Sequence, residues 1–303
     1  MPTTGATHPQ SQDRRSPERA SGPGHFAAFS FVDRITELVP GKHAKGRFPI
    51  PADIARFQSP LAIEAAGQLA AWVAMAHLDF RIRPVAGVAG DIRFGRAIRP
   101  GTVLDLSVDI DQCDEQAVNY TAWAHVEGVE VIRLGHSLGP MLPMEDFDDP
   151  QAVRSRFELL CGAGATGGQY RGVPQHDLEI VDLAPGHSVR AMLRVPSRDT
   201  PFFSDHFPRR PVFPGTLLLD AQIEVSLQAA AGSRHWGPNP DIGAVSVPET
   251  KIRSFISPGD AVELRAEFTP PGADGVMRAR TSSRLNGKQI ALGGLEIADR
   301  SRQ

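Results

Sequence analysis

The chain of 303 residues lacks most features that mark secreted, membrane-spanning or nucleic-acid-binding proteins. Its two cysteines, Cys113 and Cys161, form no metal-binding spacing and no disulfide framework, which fits a reducing compartment. No apolar run reaches membrane-spanning length, and the N-terminus has no apolar signal-peptide core. The net charge of −3 favours neither nucleic acid nor an anionic membrane as the main partner. We therefore expect a cytoplasmic protein.

Cofactor motifs are also missing from the sequence. It contains no His-Glu-x-x-His, no closely spaced cysteine pair and no glycine-rich phosphate loop after a strand. The sequence therefore predicts no metal and no redox cofactor. Its length of 303 residues leaves room for two ordinary domains and a sizeable core.

The chain contains an internal repeat. Residues 35–51 align with residues 180–196 at an offset of 145, and each segment has a Pro-Gly turn followed by an alternating strand. Residues 93–101 align with residues 251–259 at an offset of 158, again with Pro-Gly and an alternating strand behind it. Each copy then closes with a predicted hairpin. The sequence thus predicts two copies of one unit, with two independent α+β domains as the alternative.

The repeat and the composition divide the chain into four parts. Residues 1–24 are Ser, Pro, Gly, Thr and charge with little to bury, which predicts a disordered tail. The first unit is predicted over residues 25–143 and the second over residues 176–303. Residues 144–175 are predicted to be the linker between them, because the run Cys161–Gly168 is rich in glycine.

Each unit has one apolar helix that carries a carboxylate. Residues 60–78 are apolar nearly all round, and Glu64 is their only carboxylate. The helix of the second unit opens at Pro214 and Gly215 and carries Asp220 in its first apolar run. A buried carboxylate is costly without a partner or a raised pKa, so Glu64 and Asp220 are candidate functional residues. A solvated Asp220 on an amphipathic helix is the alternative.

A proline-stiffened loop precedes the second helix. Residues 206–215 read His-Phe-Pro-Arg-Arg-Pro-Val-Phe-Pro-Gly, and Asp220 follows fourteen residues after His206. This pattern resembles the β-hydroxyacyl-thioester dehydratases of fatty-acid and polyketide synthesis, and residues 64–68 resemble their Glu-Ala-x-x-Gln. The resemblance implies an α+β hotdog fold, a long helix wrapped by a curved antiparallel sheet, here fused as a double hotdog. Asp205 departs from the family, which usually has Gly there.

The resemblance also implies where a catalytic pair would lie. Glu64 and Asp220 align at an offset of 156, so the second unit has eleven more residues than the first between its strand and its helix. Those residues include the loop with His206, which the first unit lacks. In homodimeric relatives the His of one subunit faces the acid of the other, which implies His206 opposite Glu64 and a vacant site at Asp220. Pairing of His206 with Asp220 stays open, through swapped halves or a loop folded back.

The chemistry that such a pair can perform is the removal of water. A neutral imidazole with a pKa near ~6.5 can take an α-proton, and a protonated carboxyl in apolar surroundings can assist the departing hydroxyl. Backbone N–H groups at a helix start would hold the thioester oxygen, and here the first unit has Ser59 where the family has Gly. The resemblance further implies substrate contacts from Gln68 and Gly215. Phe207 and Phe213 are expected to pack the loop and line an acyl tunnel, with simple core packing as an equal alternative.

An acyl carrier protein is the partner that the resemblance implies, with the substrate on its phosphopantetheine arm. A homodimer of pseudo-dimers is a further expectation. Three functions stay open: a 3-hydroxyacyl dehydratase, a double-bond isomerase or thioesterase on the same fold, and a non-catalytic acyl-binding subunit. Asp220 resembles the dehydratase/isomerase branch, since plain dehydratases have Glu at that position. The intact His-Phe-Pro loop argues against a non-catalytic role.

Overall fold

The computed structural model describes residues 25–302, and the tail predicted over residues 1–24 lies outside this range. The helices are α1 (Ser59–His77), α2 (Pro150–Cys161) and α3 (Gly215–Ala231). The first seven strands are β1 (Arg34–Val39), β2 (His43–Pro49), β3 (Ile82–Pro84), β4 (Val88–Phe94), β5 (Val103–Cys113), β6 (Ala117–Val126) and β7 (Val129–Pro143). The remaining strands are β8 (Asp177–Ala184), β9 (Ser188–Arg194), β10 (Ile242–Ile252), β11 (Ala261–Thr269), β12 (Met277–Leu285) and β13 (Lys288–Asp299). Short 3₁₀ turns cover Met144–Asp146, Pro201–Ser204 and Arg300–Arg302.

The strands form one antiparallel sheet in which the strand order of the second unit mirrors that of the first. The order is β1-β2-β5-β6-β7-β4 in the first unit, continuing as β10-β13-β12-β11-β9-β8 in the second, while β3 pairs only with β7. The two units join where β4 pairs with β10, from Arg93 opposite Ser246 to Val88 opposite Lys251. This pairing gives each unit a partner for the edge that an isolated unit would leave exposed. The structure confirms the predicted α+β double-hotdog fold.

The helices α1 and α3 fill the concave side of the sheet. Pro60 stands in the first turn of α1, where its missing N–H has no intrahelical acceptor to lose. Most of the α1 side chains are buried, including Leu61 and Leu69, which are fully buried. Each such leucine contributes about 1.5–3 kcal/mol relative to an exposed one. α1 packs on strands of the first unit, α3 packs on strands of the second, and the two helices contact each other. None of the helices within the described range has both the length and the hydropathy that a bilayer crossing requires.

The repeat is visible in the conformation of its turns. Gly41 and Gly186, which follow aligned prolines, have φ values of +67° and +73°. Gly101 and Gly259, at the second aligned Pro-Gly, both have φ of +81°. Residues with side chains rarely adopt such φ values, so each aligned turn requires its glycine. The predicted alternating strands and hairpin turns are confirmed on both sides of the repeat.

The connection between the units contains a helix, α2, inside the range predicted as a linker. Asp149 caps it, because its carboxylate accepts hydrogen bonds from the N–H groups of Gln151 and Ala152, both at 2.9 Å. Pro150 occupies the first helical position. The glycine-rich run that follows is tied to the first unit, since Ala165 N–H donates to the carbonyl of Asp33 at 2.7 Å. The connection therefore packs on the first unit along part of its length.

Candidate active site

A cavity of about 200 Å³ lies at the seam between the two units, and both units contribute to its lining. Glu64 and Gln68 reach it from α1 of the first unit, while His206, Gly215 and Thr216 reach it from the loop and helix start of the second. Phe207 also lines it. The rest of the wall is largely apolar, as is usual for a pocket that holds a small molecule. Five of the residues named from the sequence therefore lie together, including the histidine and one of the two candidate acids.

Glu64 has a hydrogen-bond partner in each unit. Its Oε1 accepts from the Gln68 side-chain amide at 3.0 Å, one turn further along α1. Its Oε2 accepts from the Thr216 hydroxyl at 2.7 Å, at the start of α3 in the other unit. These bonds compensate the cost of burying a carboxylate. Thr216 was not anticipated from the sequence, although it directly follows the Pro-Gly that opens α3.

The orientation of the His206 ring is fixed by its own loop. The backbone N–H of Val212 donates to the carbonyl of His206 at 2.9 Å, and His206 Nδ1 lies 2.8 Å from the carbonyl of Val212. A carbonyl oxygen can only accept, so Nδ1 must carry the proton, which leaves Nε2 with its lone pair. Burial lowers the pKa of His206, and the nearby charge of Glu64 opposes this effect. The imidazole is therefore held neutral, with Nε2 as its basic atom.

Arg83, on β3, is a cavity residue that the sequence did not suggest. Its guanidinium carbon lies 3.8 Å from the ring centroid of Phe207. Phe207 in turn stacks on His206, with ring centroids 4.1 Å apart and planes 25° apart. Burial lowers the pKa of Arg83 to about 10, while the charges of Asp148 and Glu64 oppose the shift. Arg83 therefore remains a cation at neutral pH, and its charge helps to lower the pKa of His206. No sequence motif marks an arginine on so short a strand.

Three residues named from the sequence lie outside this cavity lining. Ser59 begins α1, and the helix start that lines the cavity is that of α3, because the loop with His206 leads directly into α3. Ser59 is therefore absent from the cavity lining, where the residues at the start of α3, Gly215 and Thr216, are found instead. Phe213 is buried in the core and contacts Phe202, with centroids 6.1 Å apart. Its side chain packs the loop and does not line the cavity.

Asp220, the third of these residues, bonds to a different histidine. Its Oδ2 lies 2.9 Å from Nε2 of His176, and the two side chains are 14% and 5% exposed. His176 precedes β8 at the end of the connection. The ring of Tyr170, from the same connection, is buried against Phe31, Phe48 and Phe57. The connection thus supplies His176 as the partner of Asp220, the counterpart of Glu64 in the second unit.

Comparisons with known proteins show the family to which the chain belongs. A family model described as "FabA-like domain" matches residues 179–293, a segment that contains the His206 loop and α3. A 3-hydroxyacyl-(acyl-carrier-protein) dehydratase FabZ from Thioalkalivibrio sulfidiphilus is 32% identical over 124 residues, covering 39% of this chain and 82% of the relative. The FabZ of Ruminiclostridium cellulolyticum is 30% identical over 120 residues, covering 40% and 82%. The chain belongs to the FabA/FabZ dehydratase family.

Solved structures support the fold over nearly the whole chain. A tesB protein from Mycobacterium avium subsp. paratuberculosis superposes with a TM-score of 0.56 at 13% identity, covering 88% of this chain and 96% of that one. A protein described as an oleoyl thioesterase from Lactobacillus plantarum gives a TM-score of 0.55 at 11% identity, covering 85% and 95%. At such low identity these two likenesses concern the hotdog fold alone. Glu64 lies outside the segment that the FabA-like model matches, and its position in the cavity lining is a finding of the structure alone.

Proposed function

We propose that the chain removes water from a 3-hydroxyacyl thioester carried by an acyl carrier protein, with His206 as the base and Glu64 as the acid. One observation carries this proposal: the histidine of one unit and the carboxylate of the other line the same cavity at the seam. The FabZ relatives act on acyl-carrier-protein substrates by name, which supports the carrier.

In the proposed reaction the substrate lies between the two side chains. Nε2 of His206 takes the α-proton, and the electrons of that C–H bond form the new double bond between the α and β carbons. The bond from the β carbon to its oxygen breaks, and the hydroxyl leaves as water with the proton of Glu64. The proton on His206 later returns to Glu64 through solvent, which restores both groups. No outside oxidant or reductant is required.

Glu64 must carry a proton before it can act as the acid, and its hydrogen bond with Thr216 is compatible with the protonated form. As a hydroxyl, Thr216 can donate to the Glu64 carboxylate or accept from the protonated carboxyl. The Gln68 amide can donate to Oε1 in either state. The environment therefore suits both forms of Glu64 through a turnover.

The negative charge that develops on the thioester oxygen would be held by the start of α3. The N–H groups of the first helical turn have no intrahelical acceptors, and Gly215 and Thr216 line the cavity. A Cβ at position 215 would meet the end of the Ile252 side chain, which would have to move to admit it.

The test is to incubate the protein with a 3-hydroxyacyl thioester of an acyl carrier protein and to identify the product by mass spectrometry. We expect the 2-enoyl thioester, and we expect His206→Asn to lower the rate by at least about a hundredfold. A shifted alkene or a free acid as the first product would instead favour the isomerase or the thioesterase. Unchanged turnover in His206→Asn would refute the assignment of the base.

A further inference from the structure

The segment of residues 25–31, which we name the N-terminal strap, runs across the seam beside His206. Asp205, the residue directly before His206, holds its first part. One carboxylate oxygen of Asp205 accepts from the N–H of Phe26, and the other accepts from the N–H groups of Ala28 at 2.8 Å and Phe29 at 2.7 Å. The Asp205 side chain is only 3% exposed. A carboxylate so buried and so fully bonded fixes the strap on the loop of the second unit.

The other end of the strap is held by the first unit. Gln68, which also bonds Glu64, donates to the carbonyl of Phe29 at 2.9 Å and accepts from the N–H of Phe31 at 2.8 Å. His25 adds a third tie, since its ring lies 3.2 Å from both Asp148 and Asp205. The strap is therefore anchored to both units and to the connection between them.

Side chains of the strap form one wall of the cavity. Phe26, Phe29 and Ser30 all belong to its lining. The Phe29 ring meets His206 edge to face, with centroids 5.6 Å apart and planes 78° apart. The Phe26 ring lies 6.4 Å from the ring of Trp72, which lines the same cavity. Phe26 also has φ of +65°, a conformation that a phenylalanine holds only when its surroundings impose it.

Behind this wall lies a second cavity. Its lining includes Asp33, Phe48, Arg156, Thr166, Gln169 and Tyr170. Phe26 and Ser30 line both cavities, so they form the partition between them. The Arg156 guanidinium carbon lies 5.4 Å from the Phe26 ring centroid, on the side of the second cavity. Of the two partition residues, Phe26 has the larger side chain.

We propose that Phe26 determines substrate specificity by closing the acyl cavity and so limiting the length of the acyl chain, with Asp205 as the residue that positions it. This inference rests on the proposed function, because it takes the cavity at His206 to be the acyl site. An acyl chain gains affinity for each methylene that it buries, until it meets a rigid wall. The Phe26 ring is that wall. Its removal would join the two cavities and admit longer chains.

The experiment compares Phe26→Ala with Phe157→Ala. Phe157 packs on the same Trp72, with centroids 6.2 Å apart, but lines neither cavity, which makes it a matched control. The ligands are saturated acyl-pantetheines from butyryl to dodecanoyl, whose affinities are measured by titration calorimetry. Because these ligands do not react, the readout does not depend on turnover.

We expect Phe26→Ala to raise the affinity for dodecanoyl over butyryl by about tenfold or more relative to the unsubstituted protein. Phe157→Ala should leave this ratio unchanged. Phe26→Leu keeps an apolar side chain at the strap and should shift the ratio in the same direction by less, so it serves if the alanine variant does not fold. An unchanged ratio in the folded Phe26 variants, or an equal shift in Phe157→Ala, would overturn the inference.

The same series separates this inference from the proposed function. A protein that binds saturated acyl-pantetheines with the expected change in Phe26→Ala but dehydrates no 3-hydroxyacyl thioester would retain the partition and lose the dehydratase assignment. A protein that dehydrates its substrate with no change in chain-length preference would retain the dehydratase and lose the role of Phe26.

Discussion

The two units have the same fold but different surroundings for their helix carboxylates. Glu64, in the first unit, lines an open cavity with His206 and bonds Thr216 across the seam. Asp220, in the second unit, bonds the buried His176, and the neighbouring Tyr170 is fully buried in an aromatic cluster. The two carboxylates differ because only the second unit carries the histidine loop, which reaches the cavity of Glu64, whereas the connection supplies the partner of Asp220. The duplicated fold therefore places its two helix carboxylates in unlike surroundings.

The largest contrast that we expect is between the two histidines. His176→Ala leaves Asp220 buried without its partner, so we expect a loss of about 3 kcal/mol in the free energy of unfolding and little change in kcat. His206→Asn should do the reverse, with a large fall in kcat and a small change in stability. Urea unfolding and turnover of both variants measure this contrast. A fall in kcat for folded His176→Ala comparable to that of His206→Asn would mean that both sites work.

A smaller effect is expected at the hydrogen bond that joins the units. Thr216→Val keeps the shape of the side chain but leaves Glu64 Oε2 without its donor, so kcat should fall by about tenfold. Thr250→Val is the matched control, since Thr250 lines the same cavity, while the hydroxyl that bonds Glu64 among the described residues is that of Thr216. Steady-state kinetics of the two variants test this, and equal rates would remove Thr216 from the account.

The charge of Arg83 at the proposed site should affect how kcat/KM depends on pH. Base catalysis needs neutral His206, and a lowered pKa keeps it neutral to more acidic pH, so kcat/KM falls only below that pKa. Arg83→Met removes a positive charge that lowers the pKa, so the acid limb of kcat/KM should move to higher pH by up to about one unit. Arg210→Met is the control, because Arg210 stacks on Phe147 and Phe255 outside the cavity lining. A limb that moves equally in both variants would contradict a specific role for Arg83.

The smallest effect concerns the N-terminal strap. Burial alone would lower the pKa of His25. The hydrogen bonds and charges of Asp148 and Asp205 outweigh burial and raise this pKa from 6.5 to about 9. A raised pKa stabilises the fold below pH 6.5, and this contribution is lost as the pH rises through about 9. His25→Gln should therefore flatten the fall in unfolding free energy over that window, by about 1 kcal/mol or less. His187 is exposed, so His187→Gln should leave the pH dependence of the unfolding free energy as it is in the unsubstituted protein. If His25→Gln also keeps the full fall in unfolding free energy, His25 is not its source.

Much of the fold could be predicted from the sequence because its signals are local and occur twice. The Pro-Gly turns, the alternating strands and the two apolar helices each follow from neighbouring residues. α2 was missed because the glycine-rich run beside it dominated the interpretation, although Asp149-Pro150 is an ordinary signal for a helix start.

The site was only partly predictable, for a physical reason. Glu64, Gln68 and His206 are marked by the motif and by the apolar helix, whereas Thr216, Arg83 and the strap reach the cavity through tertiary contacts. Asp205 stood out as a departure from the family pattern, but its role is visible only where the strap folds onto it. The same holds for His176 beside Asp220, because residues so far apart in sequence meet only in the folded chain.

The most direct test of the proposed site at the seam compares Glu64→Gln with Asp220→Asn on one 3-hydroxyacyl thioester. Each change removes one acid and keeps the shape of the side chain. Our account predicts that Glu64→Gln lowers kcat/KM by at least about a hundredfold, while Asp220→Asn stays close to the unsubstituted protein. Full activity in Glu64→Gln, together with a loss in Asp220→Asn, would contradict it.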